Sequence, residues 1–125
     1  MNIHKAIDLL QDAINSHDAR RVSGCFADDY RAAIPMHPSR SFTGSQHVLH
    51  NWTGLLARCP DLQATVLRSA INGEEIWSEW EMNGTATDAT PILMRGIVVF
   101  TTHNEKIAWS RFYLDPVKDD APGSP

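Results

Sequence analysis

Residues 62–114 contain four segments whose reading decides the fold: Leu62–Ala70 (LQATVLRSA), Glu75–Thr87 (EIWSEWEMNGTAT), Ile92–Thr102 (ILMRGIVVFTT) and Lys106–Leu114 (KIAWSRFYL). Each is rich in Val, Ile, Trp, Phe or Thr, the side chains that suit a pleated surface. Breaks at Asn72-Gly73, around Asp88–Pro91 and at Asn104-Glu105 separate them. Strands this close in sequence, joined by turn residues, predict an antiparallel meander.

Upstream the pattern changes period. Ile3, Ile7, Leu10 and Ile14 recur at helical spacing, with Lys5, Asp8, Gln11 and Asp12 on the wet side. Asp18 is suited to N-cap a second, short helix carrying Val22 and Phe26 inward and stopping near Asp28-Asp29. Tyr30 to His37 reads as a short strand ended by Pro38. Thr43 or Ser45 would cap a third helix with Val48, Trp52, Leu55 and Leu56 as its buried stripe, ending before Pro60. Helices followed by strands predict an α+β domain, helices on one face of the sheet. It spans residues 1–115, and the Pro- and charge-rich residues 116–125 read as a mobile tail.

Composition narrows the function. The chain has 125 residues, 42% hydrophobic and 21% charged, with a formal net charge of −4. This is an ordinary globular balance, large enough for one core without a disulfide or metal staple. The acidic charge argues against a nucleic-acid partner and gives no pull towards anionic membranes. No apolar run is long enough to span a bilayer, and Met1–Leu10 lacks a signal-peptide core. A cytoplasmic location is therefore expected, with Cys25 and Cys59 as free thiols and the Asn51-Trp52-Thr53 acceptor tripeptide a chance match. The glycines form no phosphate cradle, and no cofactor is expected. His47 and His50 stand one helical turn apart, but no third metal ligand is evident and their surroundings suggest a solvated face.

The words SHDARRVSGCFADDY (16–30), IPMHP (34–38), FTGSQHVLHNW (42–52), IWSEWEMNGT (76–85) and EKIAWSRFYLDPV (105–117), in this order, resemble the nuclear transport factor 2-like superfamily. The branch they are most similar to is the SnoaL-like, ketosteroid-isomerase-like one. The resemblance implies a cone: helices packed on a strongly bent, mostly antiparallel sheet that encloses a pocket open at one end. It also implies a homodimer through the outer face of the sheet.

Because this fold hosts isomerases, dehydratases, epoxide hydrolases, cyclases and plain binding proteins, function rests on the site. Counted along the resemblance, the isomerases' general base falls on His37, just before Pro38. A histidine there is chemically sensible, since imidazole takes and returns protons near neutrality. The isomerases' tyrosine and aspartic acid fall on Leu10 and near Ile97, so their oxyanion donors are missing. The epoxide hydrolases' last-strand carboxylate is missing too, because Phe112 follows Arg111. Cyclases and dehydratases that use a pocket Asp or His as proton shuttle remain open.

Registered on the isomerases, Ser78, Trp80 and Met82 face inward, as do Arg95, Ile97 and Val99, and Ser110, Phe112 and Leu114. With Trp52 these form the expected substrate wall. Glu79, Glu81, Trp109, Arg111 and Tyr113 take the outer face. Each residue also has a plainer reading. His37 could bond to main chain and merely shape the pocket mouth. Trp52 and Trp80 could be core, and Arg95 could pair with Glu79 or Glu81. The expected function is proton transfer on a hydrophobic carbonyl or polyketide-like substrate, with His37 as acid or base and Arg95, Ser78 or Ser110 holding an oxygen. The alternatives are a non-catalytic carrier of an apolar metabolite and a dimeric interaction scaffold.

Overall fold

The computed structural model describes residues 3–124, with side chains from Lys5 onward. The expected inward placement of Ile3, and Pro125 at the end of the tail, lie outside that description. Helix α1 (Ile3–Asn15) buries Ile7, Leu10 and Ile14, the stripe its periodicity predicts. Asp18 caps α2 (Ala19–Ser23) by accepting the Arg20 N–H at 2.9 Å. That helix is shorter than expected. Gly24 ends it, and Phe26 already belongs to strand β1 (Phe26–Ala33).

Asp28 and Asp29 are therefore exposed strand residues rather than a helix stop, and β1 pairs irregularly between Phe26 and Arg31. The chain leaves the sheet after Ala33, well before His37. His37 opens a 3₁₀ turn, Pro38–Arg40, in which the Arg40 N–H bonds the His37 carbonyl at 2.9 Å. Strand β2 (Phe42–Thr43) leads into α3 (Ser45–Arg58). Neither Thr43 nor Ser45 caps α3; Gly44 does so at a φ of 96°, without a side-chain bond. Val48 and Leu56 are buried, while Trp52 and Leu55 are half-buried.

The meander forms as expected: β3 (Gln63–Asn72), β4 (Glu75–Thr85), β5 (Pro91–His103) and β6 (Lys106–Phe112). The sheet order is β2-β1-β6-β5-β4-β3; β1 and β6 run parallel, the other pairs antiparallel, and the ends do not close into a barrel. A short β7 (Asp115–Pro116) returns to pair with β5, and the Val117 N–H bonds the Leu93 carbonyl at 3.0 Å. The chain thus stays on the sheet past residue 115.

One core lies between the helices and one face of the sheet, where Ile7, Leu10 and Val22 share a cluster with Ile76, Trp80, Phe100 and Ile107. The edge strand β3 is tied down by side chains from the end of α1. Asn15 bonds both main-chain groups of Ala64, at 2.7 and 2.9 Å, and Gln11 accepts from Val66 at 2.7 Å. Such bonds occupy groups that an open edge would offer to another chain.

Gly96 makes the passage from β6 to β7 possible. A Cβ built there would stand 2.1 Å from the Tyr113 carbonyl oxygen, and its φ is 154°. Only a residue without a side chain lets the two chains approach so closely. The consequence is the position of Asp115.

Candidate functional site

Directly opposed residues on antiparallel strands share a face. In the β4–β5 ladder Ser78 opposes Val98, Trp80 opposes Gly96 and Met82 opposes Met94. Ser78, Trp80 and Met82 do face inward, and so do Met94 and Val98. Arg95, Ile97 and Val99 therefore point outward, opposite to the expected wall. Arg95 opposes Glu81 and bonds it, Nε to Oε2 at 2.8 Å, with its side chain 56% exposed. Val99 is buried on the outer face, opposite Trp77 and Arg111, and Ile97 is half-buried there. The physical reason is desolvation. An inward Arg95 would bring a charge among apolar side chains, whereas the other parity exposes it to water and to a carboxylate.

A cavity of about 230 Å³ opens between the inner face of the sheet, α3 and the turn that carries His37. Phe26 and Tyr30 line it from β1, Met82 and Met94 from β4 and β5. Phe112 lines it from the end of β6, Leu114 from the link to β7, and Trp52 and Leu55 from α3. Of the expected wall, Trp52, Met82, Phe112 and Leu114 are on it. Ser78, Trp80 and Ser110 face inward but are fully buried beneath it, in the core.

Burial sorts the lining into two ends. Phe26, Tyr30, Val48 and Met82 are buried, whereas Arg40 and Asn51 are exposed and His37 and Asp115 half-exposed. At the buried end the polar groups already hold one another. The Tyr30 and Ser110 hydroxyls share a hydrogen bond. Ser78 donates to the Val98 carbonyl at 2.8 Å and accepts from the Trp80 indole N–H at 2.8 Å. Burial also pushes the Tyr30 phenol well above its usual pKa. It is a neutral hydroxyl at any physiological pH.

The mouth is different. His37 Nε2 meets Asp115 Oδ1 at 3.0 Å, side chain to side chain, with side-chain exposures of 35% and 41%. The histidine is thus held by a carboxylate on the cavity wall, not by main chain. A carboxylate on one ring nitrogen fixes the tautomer, which leaves Nδ1 as the proton-accepting atom. Arg40 sits one 3₁₀ turn after His37, where side chains three apart align. Among the described residues it has no ion pair.

Sequence reasoning missed Asp115, Arg40, Asn51 and Tyr30. Asp115 followed a strand read as ending at Leu114, and its return to β5 depends on the Gly96 contact, which no periodicity shows. Among the described residues no group of three or more His, Cys, Asp or Glu is placed to hold a metal ion. His47 instead stacks on Phe42, ring centroids 4.3 Å apart. Burial pushes both the Cys25 and Cys59 thiols up, away from nucleophilic use. No described helix is long and apolar enough to cross a membrane.

Helices on one face of an open mixed sheet, with an end-opening pocket between them, define a class of small-molecule-pocket domains. The SnoaL-like domain model matches residues 7–110, and the chain belongs to that family. Wild-type IdmH of Streptomyces antibioticus, provisionally assigned as a polyketide cyclase, superposes with a TM-score of 0.77 at 20% identity, over 92% of this chain and 93% of that one. A SnoaL-like protein of unknown function from Burkholderia thailandensis gives 0.71 at 18% identity, over 92% and 93%. A protein with a ketosteroid-isomerase-like fold from Catenulispora acidiphila, in complex with trimethylamine, gives 0.73 at 16%, over 87% and 85%. At these identities the likeness is one of fold. No curated protein matches the chain.

Proposed function

We propose that this protein catalyses proton transfer on a hydrophobic carbonyl compound, with His37 as the acid–base group and Asp115 as its orienting partner. The observation that carries the reading is the 3.0 Å His37–Asp115 pair on the wall of the cavity. Nδ1 would take a proton from the carbon next to a carbonyl, leaving an enolate and an imidazolium paired with Asp115. The same ring returns the proton to another carbon, or to a departing oxygen, and is neutral again. Arg40 and Asn51, at the same end of the cavity, are the donors available to the enolate oxygen. The provisional cyclase assignment of IdmH, a chain of similar fold, is consistent with chemistry of this class.

The test needs no natural substrate. A bicyclic enolisable ketone such as 2-tetralone, in D₂O at saturating concentration, should exchange its α-protons faster with the protein than without it. His37→Ala should lower that catalysed rate by roughly 10²–10⁴-fold, the usual share of general acid–base catalysis. Bound ketone with no catalysed exchange would sink the catalytic reading.

One observation favours a second reading, a carrier of an apolar metabolite. Ser78 spends its O–H on the Val98 carbonyl, and within the Tyr30–Ser110 pair one hydroxyl donates to the other, so the inner end keeps at most one O–H for a ligand and no paired oxyanion donors. We further propose a homodimer through the outer sheet face, where Trp77 is 42% and Tyr113 39% exposed beside the half-buried Trp109 and Ile97.

A further inference from the structure

We propose that the ligand of this cavity is an amphipathic organic acid, with an apolar body no larger than two fused rings and its acid group at the mouth. The inference rests on the reading of the cavity as a ligand site, and not on catalysis.

Size comes from the volume. A buried cavity of about 150 Å³ accommodates benzene, and drug-sized ligands occupy roughly 300–1,000 Å³. At about 230 Å³ this cavity lies between the two, at one and a half benzene-sized volumes. That suits a bicyclic body. A third ring would have to protrude between His37, Asp115 and Arg40, stripping water from charged groups that it cannot pair.

Polarity and orientation come from the two ends. Phe26 and Met82 make the inner end apolar, and the Tyr30 hydroxyl there is neutral and bonded to Ser110, so no group at that end can pair a charge. The groups able to meet a charge are at the mouth, and there the carboxylate of Asp115 already has His37. Arg40 is the cation on this lining without an ion pair among the described residues, so the complementary ligand group is an anion. A carboxylate at the mouth would also place the carbon beside it, or a neighbouring ketone, at the level of the His37 ring.

Calorimetric titration of the wild-type protein with three probes separates these points: 2-naphthoate, its neutral amide 2-naphthamide, and the three-ring 2-anthracenecarboxylate. We expect 2-naphthoate to bind about tenfold or more tightly than either of the others. Arg40→Gln should remove its advantage over the amide. Equal affinity of the anthracene acid overturns the size limit, and equal affinity of the amide in wild type overturns the acid. No binding by any probe sinks the ligand-site reading along with this one, whereas the expected pattern with no proton exchange on 2-tetralone sinks only the catalytic proposal.

Discussion

The two ends of the cavity are built from the same kinds of atoms and arranged in opposite ways. At the inner end every hydroxyl and the indole N–H of Trp80 close on protein partners, and the side chains around them are almost wholly excluded from water. At the mouth an imidazole and a carboxylate meet at 3.0 Å while each keeps about a third or more of its surface exposed. Satisfied buried polar groups add stability and cannot easily reorganise; half-exposed ones contribute little stability and can meet a ligand. The inner end is therefore the anchor of the fold, and the mouth is where chemistry has room.

The largest expected contrast follows directly. His37→Ala, which should remove two to four orders of magnitude of catalysed exchange, should shift unfolding free energy by no more than about 0.5–1 kcal/mol, because the side chain is half-exposed. A loss of several kcal/mol in urea melts would make His37 a structural residue and blur the distinction between the ends.

Trp80→Ala is the mirror experiment at the anchor. It empties the largest fully buried side chain and strips Ser78 of its indole donor, so about 3–5 kcal/mol of stability should go. Tyr30→Phe is subtler. It keeps the ring against Phe26 but leaves the buried Ser110 hydroxyl without its partner, a loss of about 1–3 kcal/mol. Catalysed exchange by the molecules that remain folded should be within a few-fold of wild type. A collapse of exchange in Tyr30→Phe without loss of stability would move the chemistry inward and overturn the comparison.

The same two ends show what was readable in the chain. The anchor was largely legible: the stripe of α1 and the position of the four long strands follow from period and turn residues, and the inward parity of β4 and β6 from their register on the isomerases. The mouth was legible only in His37. Its partner depends on a long-range event, the passage of residues 113–115 across Gly96, and sequence spacing carries no information about contacts of that kind. The boundary of β1 failed for a local reason: Asp28 and Asp29 are read as a helix stop, yet an exposed irregular strand tolerates them equally well.

Strand β5 is the most instructive case, and it carries the smallest predicted effect. Ile92, Met94, Val98 and Phe100 alternate with Leu93, Arg95, Ile97 and Val99, so both faces are apolar and period alone does not choose between them. A one-residue slip reverses every side chain. The deciding residue is Arg95, whose charge prefers the face bearing Glu81. In that position its ion pair is a surface one, and Arg95→Ala should cost only about 0.2–1 kcal/mol. Binding of 2-naphthoate should not change, since Arg95 is absent from the cavity lining. A tenfold loss of naphthoate affinity would restore the opposite register and place Arg95 in the pocket after all. The outer face offers one further discrimination, because the proposed partner subunit would cover it. Light scattering on wild type at micromolar concentration should give twice the chain mass. If Arg95 also touches the partner, Arg95→Ala will lower that mass as the protein is diluted, with naphthoate binding intact. A monomeric wild type would remove the dimer proposal and leave Trp77 and Tyr113 as solvent-facing aromatics.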